Sequence, residues 1–72
     1  MGRIAALGDR HRIQPLAIAG VEAHPAATDD EAIAQWQRLP HDVAVLILTP
    51  QAAAALAGRL GERPDLLVTV IR

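Results

Sequence analysis

Gly8-Asp9-Arg10-His11 is the segment of this chain best equipped for chemistry: a carboxylate, a guanidinium and an imidazole follow a glycine that ends an apolar run. In open α/β sheets, ligands bind beyond the carboxyl ends of the strands, where the strand order reverses. Thr49-Pro50, which closes the longest apolar run, would share that mouth. An acid in this position suits phosphoryl acceptance or Mg²⁺ binding. Phospho-receiver chemistry, however, needs an acceptor Asp after the third strand, a cluster of acids after the first, and a Lys. Here the third strand ends in Thr49-Pro50, Asp9 stands alone after the first, and the chain has no Lys. A nucleotide site would need a glycine-rich turn, and LGDRHRIQP fits neither G-x-G-x-x-G nor the P-loop pattern.

Other chemistries fare no better. His11, His24 and His41 fall in separate predicted loops without the spacing of a zinc site. Cysteine is absent, which excludes disulfides, thiolate catalysis and any Cys-containing zinc site. Serine is also missing, so the hydroxyls are Thr28, Thr49 and Thr69, the first two placed as helix caps. With no partner acids and no phosphate loop, Asp9 reads as a corner residue whose carboxylate holds backbone N–H groups of its turn. The sequence therefore points to a chain without catalytic residues, cofactor or metal. Arg10, His11, Thr49 and Pro50 remain, with Asp9, a candidate surface for a partner or ligand.

The elements that must position these residues alternate. Arg3 to Leu7 reads as a short strand. Pro15 fits the first turn of a helix, where its missing N–H costs nothing, which places Leu16 to Ala19 in a short helix stopped by Gly20. Val21 to Ala23 forms a second strand that Pro25 ends or confines to an edge. TDDEAIAQWQRL is a capped helix: Thr28 and Glu31 make a capping box, and Ala32, Ile33, Trp36 and Leu39 share one face. On that spacing Trp36 packs in the core. Residues 43 to 49, VAVLILT, lack polar alternation, which predicts a strand covered on both faces. Thr49 and Pro50 then start a helix through PQAAAALAGRL, in which Gly58 would mark close packing on the sheet, with Gly61 and Pro64 as stops. A last buried-type strand, LLVTVI, occupies residues 66 to 71.

This β-α-β-α-β-α-β order predicts a small flavodoxin- or Rossmann-like three-layer α/β domain spanning residues 1–72. Its four-stranded parallel sheet has the order 2-1-3-4, with helices on both faces. At 72 residues it should bury only ~60% of its unfolded surface and be marginally stable. The formal charge of −1 gives no field for nucleic acid or an anionic membrane, and one aromatic residue is a poor basis for stacking. Met1 to Leu7 is too short for a secretory signal, and no run reaches the ~20 apolar residues of a membrane span. The expectation is a soluble, cytoplasmic protein.

The succession IAALGD, LAIAGV, DDEAIAQW, VAVLILTP and LLVTVI resembles the F subunits of the archaeal and vacuolar-type rotary ATPases. The matching positions are Gly8 and Asp9, Leu16 with Ala19 and Gly20, Asp30 to Ala34, and Val43 to Thr49. The match covers nearly the whole chain in order. It implies a non-catalytic cap on the central rotor stalk, bound to the coiled-coil rotor protein of that stalk and less directly to the catalytic A and B subunits. Such a cap couples or regulates rotation in a proton- or sodium-translocating complex, peripheral to the membrane. Gln14-Pro15 departs from the family's Gly-Phe, and the family's C-terminal tail beyond the fourth strand has no counterpart before Arg72. Stalk docking would then fall to the globular part. Physically, an uncharged final strand at a sheet edge also invites self-association.

Overall fold

The computed structural model describes residues 2–71, so the expected chain end at Arg72 lies outside the described residues. Four parallel strands form one sheet: β1 (Arg3–Gly8), β2 (Glu22–Pro25), β3 (Val43–Leu48) and β4 (Leu67–Val70), in the order β2-β1-β3-β4. Between them run α1 (Arg10–Ile18), α2 (Asp29–Arg38) and α3 (Pro50–Leu56), followed by a 3₁₀ turn at Leu60–Glu62. The predicted fold class and strand order are those observed.

Helices α2 and α3 pack together over one sheet face. There Ala5, Leu7, Leu46 and Leu48 join Ala32, Trp36, Leu39, Ala52 and Leu56 in the core. Strand alternation turns Ile4, Ala6, Val45 and Ile47 to the opposite face. That face receives only α1 among the described elements, which lies against β1 and β2 and buries Ile13. The helix α2 is built as its sequence predicts. Thr28 Oγ1 accepts the Glu31 N–H (3.2 Å), Glu31 Oε1 accepts the Ala27 N–H (2.7 Å), and three acids occupy the first turn.

Four expectations need correction. The first helix begins at Arg10, not beside Pro15, because Asp9 caps it; Pro15 lies inside, where it forgoes only the bond to the His11 carbonyl at an exposed position. The second strand runs two residues further, through Pro25, whose lack of an N–H is tolerated at a sheet edge. The third helix stops at Leu56, and Gly58 lies in the following turn, where an added Cβ would meet nothing within 4 Å. Gly58 thus does not pack on the sheet. Finally, β3 and β4 are not covered on both faces: Leu67, which pairs with Val45 on the face opposite α2 and α3, is 66% exposed. With α1 drawn to the β2 side, no helix of the described residues remains for that half of the sheet.

A polar clamp ties the end of α2 to the segment after α3. Arg63 donates from Nη2 to the Leu39 carbonyl (2.6 Å) and from Nη1 to the Pro40 carbonyl (3.2 Å). Its guanidinium also lies 5.2 Å from the Trp36 ring centroid. Two carbonyls just beyond a helix C-terminus thereby gain a cation. Arg63→Met keeps much of the apolar stem but removes the fork, and is expected to cost about 2 kcal/mol in chemical denaturation. Arg63→Lys should recover only part of this, since a single ammonium cannot reproduce the planar fork.

Candidate functional site

The mouth formed by the ends of β1 and β3 is closed by its own residues. Leu7 accepts the Thr49 N–H through its carbonyl (3.2 Å), which locks the two strand ends together. Thr49 is 1% exposed, and its hydroxyl accepts the Ala52 N–H (3.3 Å) as the cap of α3. Pro50 follows in the first turn and is exposed. Gly8 lies so close to Thr49 that a Cβ on it would overlap Thr49 Cγ2 and Oγ1. Its carbonyl meanwhile accepts the Ala26 N–H at 2.7 Å. Little space is left at this corner for a substrate.

Asp9 is the cap of α1. Its Oδ2 accepts the Arg12 N–H (3.2 Å), and Oδ1 lies 3.7 Å from Arg12 Nε. This is the backbone-holding geometry expected of a corner residue. Because Asn caps a helix about as well as Asp, Asp9→Asn should leave the thermal midpoint nearly unchanged. Asp9→Ala should lower stability by ~1 kcal/mol. A catalytic carboxylate would lose function in both variants.

The remaining sequence candidates are dispersed. Arg10 and His11 are exposed in the first turn of α1, with Arg10 reaching the rim of two hollows. Leu16 is half-buried on α1 and Ala19 caps its C-terminus; Gly20 follows with φ +91°, the left-handed conformation expected of a helix stop. His24 is half-buried in β2, and His41 is exposed before β3. Among the described residues, no group of three or more His, Cys, Asp or Glu side chains is arranged to hold a metal. His24 Nε2 is buried without a hydrogen-bond partner.

Two features escaped the sequence. One is an open hollow of about 260 Å³ beside the ends of β2, lined by Arg10, Pro25, Ala26, Ala27 and Glu31. Its residues come from α1, the loop after β2 and the first turn of α2, so no single motif announces it. The other is the uncovered half of the sheet, where the register aligns Leu67, Val45 and Ile4 in one row across β4, β3 and β1. Ile4 is 45% exposed there. Only the ratio of three helices to four strands signals this gap in advance. No helix among the described residues is long and apolar enough to cross a membrane. In comparison with known proteins, no family model and no curated sequence matches the chain.

Proposed function

We propose that this chain is a non-catalytic docking protein of the rotor-stalk type, the role implied by its resemblance to the F subunits of the archaeal and vacuolar-type rotary ATPases. Its principal partner is the coiled-coil rotor protein of the stalk, with the catalytic A and B subunits as further contacts, and its task is to couple or regulate rotation. The observation that carries this reading is the apolar row of Ile4, Val45 and Leu67, which runs onto the half of the sheet face that α1 leaves open among the described residues. A helix of a coiled coil presents an apolar stripe at heptad spacing, and helix-on-sheet is a standard layer contact. Asp9 and Thr49, which a catalytic reading would need, are engaged in holding helix starts.

Co-expression with the cognate coiled-coil rotor protein, followed by affinity capture through a tag on that partner, tests the proposal. A stoichiometric complex is expected, and recovery of the tagged partner alone would overturn it. The hollow beside Arg10 and Glu31 favours a second reading, a stand-alone small-ligand module. A thermal-shift screen with flavins, nucleotides and acetyl phosphate distinguishes the two. Stabilisation by one of these compounds that Arg10→Ala abolishes would replace the docking reading.

A further inference from the structure

The two edges of the sheet are not equivalent. The β2 edge ends in Pro25 and carries Glu22, which pairs with Arg3 (3.2 Å), and α1 packs beside it. Proline and charge are standard protections of an edge strand. The β4 edge has neither, since residues 66 to 71 contain no charge and no proline. The pairing of β4 with β3 is regular from Leu67 to Val70. Ile71 donates its N–H to the Leu48 carbonyl (2.9 Å), so alternation turns the main-chain groups of Leu67 and Thr69 toward β3 as well. The N–H and C=O groups of Val68 and Val70 then point away from the sheet. They form a complete hydrogen-bonding pattern that no strand among the described residues receives.

We propose that two copies of this chain pair antiparallel through β4, about a two-fold axis at Thr69, into a continuous eight-stranded sheet. In this register Val68 opposes Val70 of the second copy, and both pairs on either side of the axis exchange two hydrogen bonds. Thr69 faces its own symmetry mate as a non-hydrogen-bonded pair, the closer of the two antiparallel spacings and one suited to Thr–Thr contact. Leu67 opposes Ile71 on the same face, so the row of Ile4, Val45 and Leu67 continues into the second copy. Antiparallel pairing also sends the two Asp65 side chains to opposite ends, whereas a parallel arrangement would bring like charges together. Because the β2 edge is protected, the assembly closes at two copies.

Area sets its strength. An edge of four residues with its flanking apolar side chains covers on the order of 400 Å² per copy, below the ~800 Å² per partner of a standard interface. The dimer is therefore weak and dissociates on dilution. It rests on the β4 backbone and is independent of the stalk reading.

Sedimentation equilibrium over a wide concentration range tests this directly. The unmodified chain should rise from monomer to dimer mass and no further. Thr69 is exposed, so Thr69→Lys and Thr69→Glu should retain the circular dichroism of the fold. Each alone should be monomeric, because like charges meet at the axis, and an equimolar mixture should recover the dimer. Thr69→Cys introduces the only thiol in the chain and should cross-link copies under mild oxidation far faster than Gln51→Cys, at an exposed position of α3. Should a charged variant fail to fold, the cross-link decides. A strictly monomeric chain, growth beyond the dimer, a dimer that survives Thr69→Lys, or equal cross-linking of the two cysteine variants would overturn the proposal.

Discussion

Trp36→Ala should remove a large part of the stability of this domain. The indole is 2% exposed at the centre of the α2–α3 core, donates to Glu62 Oε1 (3.0 Å), and lies beneath the Arg63 guanidinium. Truncating a buried Trp to Ala costs about 3–5 kcal/mol through lost transfer energy and a residual cavity. Against this, a chain of 72 residues commands roughly 4–11 kcal/mol in total at typical per-residue stability. The thermal midpoint, followed by far-UV circular dichroism, should fall by about 15–30 °C, and a shallow, non-cooperative melt is an acceptable form of the same result. Trp36→Phe refills most of the space and loses the N–H, so its cost should be about 1–2 kcal/mol. If Trp36→Ala behaved like Trp36→Phe, the core would not be organised around this side chain.

Gly8→Ala is the second severe change, and its cause is local. The added Cβ would overlap Thr49 Cγ2 and Oγ1 and come within 2.8 Å of Thr49 Cβ. Thr49 cannot swing away, because it is buried and its hydroxyl caps α3. Relief would require β1 and β3 to separate at the Thr49–Leu7 hydrogen bond. Overpacking of this kind costs about 1–3 kcal/mol, and the tightness of the contact places Gly8→Ala at the upper end. A double-mutant cycle with Thr49→Gly isolates the cause. Thr49→Gly alone is destabilising through the lost cap, but the pair should be less destabilised than the sum by at least ~1 kcal/mol. Strict additivity would show that the close approach is not what constrains Gly8.

Much of this architecture was legible from residue order. The capping box at Thr28 and Glu31 and the Thr49-Pro50 helix start rest on short-range chemistry and form as expected, and the β-branched run from residue 43 does form a strand, through Leu48. Asp9 was legible as a corner but not as a cap, because Pro15 drew the start of the helix toward itself. A proline is the stronger local signal, yet α1 accommodates it at an exposed position while the Asp9 cap sets the boundary. The Arg63 clamp was hidden by distance: its carbonyl partners lie 24 and 23 residues away, beyond any periodicity. Strand β3 misled for a different reason. An unbroken apolar run states that a strand tolerates burial on both sides, not that a helix arrives to bury it. Which half of the sheet stays open depends on where α1 packs, a tertiary fact with no local code.

The row formed by Ile4, Val45 and Leu67 is therefore where the functional account is most exposed to test. Ile4 lies on β1, two strands from the β4 edge, so changing it separates stalk docking from self-association. Calorimetric titration of the coiled-coil rotor protein into wild-type chain, Ile4→Glu and Asp9→Asn is the decisive measurement. Wild type and Asp9→Asn should bind alike, while Ile4→Glu, still folded by circular dichroism, should bind at least tenfold more weakly, a loss of about 1.4 kcal/mol. Equal binding by all three variants, or loss of binding only in Asp9→Asn, would contradict the docking face assigned to the open sheet.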